Sequence, residues 1–205
     1  MTTAPWQHRY AVIAELAKLY QDKGGWVLGK TALQKLMFFL QEVRGIELGY
    51  EYSLHSFGPF SSTLAADLDM ADMMDVVDVR YDSSINGYEI FPGETDVSSG
   101  KTAKQWLKSV RKDVEAVFER FGTFGTRQLE LRATIAYVAK DAVLRGRMLT
   151  DERLVRIVHD LKPHFNYDMI GDALRQLREE GFLPERAEEK PKSFIRRLNN
   201  RLLRR

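Results

Sequence analysis

The sequence predicts a mainly α protein of the α+β class, with an N-terminal winged-helix-like module, a small β-hairpin wing and a helical second domain. Three observations lead to this class. Apolar residues recur at helical spacing over most of the 205-residue chain. The pair Asn86-Gly87, typical of a hairpin turn, lies between two strand-like runs. A polar segment rich in Gly, Pro and Ser, residues 92–100, separates the two halves.

The first module is predicted to span residues 1–92. Gly58-Pro59 is expected to break a strand, and Ser61 or Ser62 to cap the helix that follows it. Asn86-Gly87 favours a tight type I′ turn. In chain order the predicted elements are helix 8–20, helix 30–43, strand 50–57, a helix from Ser61 or Ser62 to about Met74, strand 76–81 and strand 88–91. This order is typical of a winged helix.

The second domain is predicted to span residues 101–183 and to contain only helices. Asn166 is expected to cap its last helix, and Gly181 stands where a helix-terminating glycine belongs, with Phe182 packing back. The predicted helices are 102–121, 127–144, 151–161 and 167–180. Residues 184–205 are predicted to form a basic amphipathic tail.

Charge is distributed unevenly along the chain, although the net charge is only +2. Residues 1–100 carry 7 Lys or Arg against 14 Asp or Glu, whereas residues 183–205 carry 8 against 3. Because a nucleic-acid-binding protein places positive charge on its reading element, this asymmetry bears directly on function.

The chain has no cysteine, which fits a reducing compartment and excludes thiol catalysis. Residues 1–10 show no basic region followed by an apolar run, so no signal peptide is expected. No apolar stretch approaches the roughly 18 residues of a membrane span. We therefore expect a cytoplasmic protein without a membrane span.

The motifs that would indicate an enzyme are weak. Gly24 to Thr31 (GGWVLGKT) matches the phosphate-binding loop pattern formally, but the segment before it has helical rather than strand periodicity. We interpret it as a helix–helix connection with Lys30 near the start of the second helix. The four histidines show no metal-ligand spacing, and no serine lies in a nucleophile elbow. The sequence implies no cofactor, no metal and no catalytic residue.

The third helix of a winged helix usually enters the DNA major groove. Here that segment carries Asp67, Asp69 and Asp72, and no Lys or Arg lies between Phe60 and Val79. Because DNA phosphates repel such a helix, we expect either a solvated acidic face or a protein-docking surface.

Residues 194–205 (FIRRLNNRLLRR) place Ile195, Leu198 and Leu202 on one helical face. The surrounding cations are Arg196, Arg197, Arg201, Arg204 and Arg205. Four partners fit this pattern: a nucleic-acid backbone, an anionic membrane surface, an acidic protein, or the acidic front half of a second copy in a homodimer. A terminal helix packed on its own domain fits as well.

Three stretches resemble known families. TALQKLMFFLQEV (31–43) and YSLHSFGPFSSTLAADL (52–68) resemble the YwgA-like proteins and the Panacea antitoxin domain. LELRATIAYVA (129–139) and LKPHFNYDMIGDALRQLREEGFL (161–183) resemble the second half of YwgA-like proteins. The Panacea resemblance implies a protein-binding role, either neutralising a toxin or serving as an adaptor.

We therefore expect a non-enzymatic protein-binding module, antitoxin-like or adaptor-like, associated with a toxin–antitoxin or defence system. Its protein partner is a toxin or an adaptor target. The predicted partner-binding residues are Gln34, Lys35, Phe57, Asp67, Asp69 and Asp72. The alternative is a winged-helix transcription regulator that binds DNA through its basic second half or tail.

Overall fold

The computed structural model describes residues 5–98 and 100–183. Its chain divides into two compact units, Met1–Tyr137 and Val138–Arg205. The mainly helical fold with a small antiparallel sheet is confirmed. The predicted basic tail, 184–205, lies outside the described residues.

The first unit begins with two helices joined by a short strand. These are α1 (Trp6–Lys23), β1 (Leu28–Gly29) and α2 (Lys30–Phe38), which continues as a π-helical turn, Phe39–Val43. The apolar stripe of α2 is wholly buried, as its flanking phenylalanines predict, so this helix forms the centre of the core.

A two-stranded hairpin follows, which differs from the predicted single strand. β2 (Ser53–His55) pairs with β3 (Gly58–Phe60) in antiparallel register, with Leu54 opposite Pro59. The chain therefore reverses at Ser56-Phe57, and Gly58-Pro59 begins a second strand instead of ending the pairing. Gly58 allows this because its φ is +90°, a backbone conformation that favours glycine.

Helix α3 (Ser62–Met73) is capped by Ser61, whose hydroxyl accepts a hydrogen bond from the Leu64 amide at 3.3 Å. The predicted cap is thus confirmed. Leu64, Leu68 and Ala71 lie one helical turn apart and face the core. The opposite side of α3 is exposed.

A second hairpin consists of β4 (Val77–Asp82) and β5 (Gly87–Pro92), and the sheet order is β1-β5-β4. The predicted two-residue turn is wrong, because Asp82 pairs with Gly87 and the connection has four residues, 83–86. Asn86 adopts a left-handed φ of 48° as the last residue of that loop, a conformation that Asn tolerates.

Helix α4 (Lys101–Phe121) belongs to the first unit, so the division lies later in the chain than residues 92–100. The reason is packing between α4 and the N-terminal elements. His8 stacks on Trp106 at 4.1 Å between ring centroids, and Phe39 stacks on Phe121 at 4.2 Å. Because these aromatic pairs join α4 to α1 and to the π-helical turn, the polar segment is a loop within one unit.

Helix α5 (Thr126–Leu144) contains the boundary between the units, after Tyr137. The second unit then contains α6 (Asp151–Leu161) and α7 (Tyr167–Glu179). Asn166 caps α7 by accepting a hydrogen bond from the Met169 amide at 2.8 Å, as predicted. Gly181 has a φ of 70° and Phe182 is buried, which confirms the predicted helix ending.

Candidate functional site

A cavity of about 410 Å³ opens between α2, the β2–β3 hairpin and the start of α3. Its walls are largely apolar, and polar groups stand at its rim. The apolar walls include Leu33, Phe57, Phe60, Leu64, Ala65 and Leu68. Phe57, in the hairpin turn, is 62% exposed. Burying a side chain of this kind against a partner favours binding by about 2 kcal/mol. An apolar concavity beside an exposed aromatic is typical of a binding site.

Gln34 holds the edge of this cavity in place. Its side-chain amide donates to the Ser61 carbonyl at 3.0 Å and accepts from the Ser61 amide at 2.9 Å. Both bonds are buried, and Ser61 is the cap of α3. The predicted partner-binding residue Gln34 therefore sets where α3 begins, and it offers little surface to a partner.

Lys35 plays a similar part under the hairpin. Its side chain is 2% exposed, and its ammonium group donates to the Pro59 carbonyl at 2.9 Å. A buried ammonium group is costly without hydrogen bonds, so this contact ties β3 to α2. Lys35 lines the cavity from below and is not presented as a surface charge.

Close packing explains the glycine next to this contact. A Cβ atom on Gly58 would lie 3.3 Å from the Lys35 Cε and 3.3 Å from the Thr134 hydroxyl oxygen. The hairpin turn therefore approaches α5 within the first unit as closely as a residue without a side chain allows. This close approach holds in place the turn that carries Phe57.

Asp67 is buried and lies away from the cavity. Its carboxylate receives the Arg9 guanidinium at 2.9 Å and the Tyr50 hydroxyl at 2.9 Å. Burial raises the pKa of Asp67, and the Tyr50 hydrogen bond and the Arg9 charge oppose that rise. Burial, followed by the Asp67 charge, raises the pKa of the Tyr50 hydroxyl well above its usual range. Asp67 therefore anchors α3 to α1 and is not available to a partner.

Asp69 and Asp72 lie on the exposed side of α3, as a partner-binding role requires. Asp69 borders the cavity and forms an ion pair with Lys30 at 3.6 Å. Asp72 lies one turn beyond Leu68 and accepts a hydrogen bond from the Val79 amide at 2.8 Å. The acidic side of α3 is thus continuous with the cavity wall.

Sequence reasoning missed the methionines on this side of α3. Met70 is 45% exposed and Met73 is 80% exposed, and they lie beside Asp69 and Asp72. We define the Met–Asp face as these four residues. The sequence does show methionines next to aspartates along the predicted third helix. Only the burial of Leu64, Leu68 and Ala71 shows which side of that helix is exposed.

Lys30 is the first residue of α2, and a helix precedes the Gly24-Gly25 pair, as the interpretation of GGWVLGKT requires. The Lys30 ammonium lies 4.2 Å from the centroid of the Tyr88 ring and close to Asp69. Its charge is therefore held at the cavity rim by an aromatic ring and a carboxylate.

Within residues 5–98 and 100–183, no cluster of three or more His, Asp or Glu side chains is arranged to hold a metal ion. His55 lies at the cavity rim, 3.0 Å from the Ser53 hydroxyl. None of the helices in those ranges is both long enough and apolar enough to cross a membrane.

No family model matches this chain, and no curated protein matches it either. The resemblance to YwgA-like and Panacea proteins therefore stays a prediction. The five predicted tail residues, Arg196, Arg197, Arg201, Arg204 and Arg205, lie outside the described residues.

Proposed function

We propose that this chain is a non-enzymatic protein-binding module that acts as an antitoxin or an adaptor. The observation that carries the proposal is the apolar cavity of about 410 Å³, which meets the Met–Asp face at Asp69. An apolar cavity provides an anchor pocket, and the adjoining exposed methionines adapt to a partner's shape. The acidic groups at its edge favour a partner segment that carries positive charge.

We also propose that the first unit is a winged-helix-like module. Support comes from the order of α1, β1, α2, α3, β4 and β5, with the β2–β3 hairpin inserted between α2 and α3, and from the sheet order β1-β5-β4. In that arrangement α3 is the element that usually reads DNA. Its exposed side carries Asp69 and Asp72 and has no Lys or Arg, which disfavours phosphate contacts. The scaffold therefore serves protein recognition in this proposal.

Native co-purification with matched variants tests the proposal. The full chain is compared with a Phe57→Ser, Met73→Ser double variant and with an Ile85→Ser control. Ile85 lies in the wing loop and is 61% exposed, so the control removes a similar exposed apolar group elsewhere. Substitutions at such exposed positions change stability little.

We expect a stoichiometric protein partner to be recovered with the wild type and with the control, and to be lost with the double variant. Retention of the partner by the double variant would place binding elsewhere. Recovery of the wild-type chain alone, together with a salt-sensitive gel shift on DNA that Asp69→Ala and Asp72→Ala leave unchanged, would favour the transcription regulator.

A further inference from the structure

Helix α4 carries a line of lysines on the side that faces away from the core. Lys104, Lys108 and Lys112 are exposed and follow one another at intervals of four residues. This spacing places them on one side of the helix, with about 6 Å of axial rise from each to the next. The other side of α4 packs into the first unit through Val114 and Val117, which are fully buried. We define the lysine stripe as Lys104, Lys108 and Lys112.

The positive charge of the lysine stripe is not neutralised within the described part of the chain. In residues 5–98 and 100–183, none of its three lysines forms an ion pair. The neighbouring Arg111 differs, because it binds Glu15 at 3.0 Å and Glu115 at 3.0 Å. The sequence of α4 contains no Asp or Glu before Asp113. The N-terminal half of α4 therefore presents uncompensated positive charge to solvent.

This arrangement of charge works against the stability of the helix. Like charges four residues apart on a helix repel each other, and the lysine stripe contains two such pairs. A cation near the start of a helix also opposes the helix dipole. Lys104 lies three residues after the first residue of α4, and the first turn of α4 has no acidic residue. The stripe is therefore better explained by a ligand outside the chain than by the needs of the fold.

The surroundings of the lysine stripe select the kind of ligand. A membrane-binding helix inserts an apolar side between lipids, and protein interfaces depend on apolar or aromatic anchors. The described large apolar side chains of α4 are buried or only partly exposed, so both kinds of partner fit poorly. Gln105, which is exposed, lies between Lys104 and Lys108 in the sequence. Lys and Gln are among the side chains that donate hydrogen bonds to nucleic-acid phosphates.

We propose that the lysine stripe binds the phosphate backbone of a nucleic acid. Such contacts replace condensed counterions and carry no information about base sequence, so the binding is independent of sequence. The backbone is common to DNA and RNA, and both are therefore used in the test. The stripe is separate from the cavity and from the Met–Asp face, whose carboxylates repel phosphates. This activity goes beyond the proposed protein-binding function.

The dependence of affinity on salt concentration tests the proposal in the full chain. Fluorescence anisotropy measures binding to labelled duplex DNA and to labelled duplex RNA, both of random sequence, at several salt concentrations. Lys104→Gln combined with Lys108→Gln forms the α4 variant. Lys18→Gln combined with Lys23→Gln forms the control, which removes two exposed lysines from α1. Residues 184–205 are the same in all proteins, so any contribution from them cancels in the comparison.

We expect the α4 variant to make the slope of log affinity against log salt shallower by about 1.8 on duplex DNA, because each neutralised phosphate contributes about 0.9. The control should leave the slope unchanged. Lys104→Arg combined with Lys108→Arg keeps both charges and should keep the wild-type slope. The α4 variant should melt at no lower temperature than the wild type, because it removes repulsion between like charges. A shallower slope on either duplex supports the proposal and identifies the nucleic acid.

An α4 variant with the wild-type slope on both duplexes would overturn the proposal, as would an equal change of slope in the control. The proposal also fails if these lysines are needed for binding to vesicles that contain phosphatidylserine but not for binding to either duplex. Co-purification detects a protein partner of the cavity, whereas the anisotropy experiment uses this chain and a nucleic acid alone. Each proposal can therefore fail without the other.

Discussion

Replacing Gln34 with alanine tests whether this buried side chain positions α3. Gln34 makes two hydrogen bonds to the backbone of Ser61, at 3.0 and 2.9 Å, and is only 5% exposed. Gln34→Ala leaves the buried Ser61 amide without its partner, whereas the Ser61 carbonyl keeps the hydrogen bond from the Ala65 amide at 3.2 Å. One unsatisfied buried group costs about 1–3 kcal/mol, and loss of the second hydrogen bond adds about 1 kcal/mol, so we expect a loss of about 2–4 kcal/mol.

Gln41→Ala is the matched control. Gln41 makes the same pair of bonds to Tyr50, donating to its carbonyl at 2.7 Å and accepting from its amide at 2.8 Å. This site is partly open to solvent, so water replaces much of what is lost. We expect a smaller loss, about 1 kcal/mol. The two variants thus delete the same pair of backbone contacts at different depths, and Gln41→Ala also removes a hydrogen bond from Gln41 to the Glu42 carboxylate.

Urea denaturation followed by circular dichroism measures both losses of unfolding free energy. An unchanged slope of that free energy against urea concentration shows that the comparison is valid. Gln34→Glu adds a finer test, because a carboxylate still accepts from the Ser61 amide but cannot donate to its carbonyl. It should destabilise the protein at neutral pH. A loss for Gln34→Ala no larger than that for Gln41→Ala would refute the reasoning.

Three further predictions concern the framework of the protein. Gly58→Ala should lower the free energy of unfolding by at least about 1–2 kcal/mol in urea denaturation, because the φ of Gly58 is +90°. The control Gly171→Ala lies inside α7 with nothing within 4 Å of the added carbon, so it should stabilise the protein by about 0.5–1 kcal/mol. Similar effects of the two substitutions would contradict this account. Asp67→Ala should cost about 3 kcal/mol by leaving Arg9 without its carboxylate, and full stability in thermal melts would contradict that expectation. Burial raises the pKa of Tyr20 from 10.0 to about 12, so the stability that Tyr20 contributes is complete below pH 10 and is lost as the pH rises through about 12. Denaturation midpoints should therefore fall over this pH range, and Tyr20→Phe should make that fall smaller. An equal fall in the wild type and in Tyr20→Phe would contradict the prediction.

Local signals in the sequence predicted the helix ends well. Ser61 and Asn166 both accept the capping hydrogen bonds expected of them, because capping depends on residues within one turn. The predicted two-residue turn at Asn86-Gly87 was wrong because loop length is not set by the turn residues alone. The pair is compatible with several loop lengths, and only the cross-strand register of β4 and β5, with Asp82 opposite Gly87, selects a four-residue loop.

The site was predictable only in part, because its geometry depends on contacts between distant segments. Phe57 and Asp69 were identified as candidates, and both border the cavity. Asp67 looks the same as Asp69 in the sequence, yet its side chain turns inward to Arg9, which is 58 residues away. The packing of α4 on the N-terminal helix was likewise not predictable, because the stacking of His8 on Trp106 has no local signature.

The residues in and beside the cavity have two different roles, and this difference has a consequence for the evolution of the protein. Gln34 and Lys35 hold the backbone and tolerate little replacement, whereas Phe57, Met70 and Met73 are exposed. Exposed side chains of this kind are replaced at small cost in stability. Related proteins are therefore expected to keep the inner pair while exchanging the outer three, so that one durable frame acquires new binding preferences.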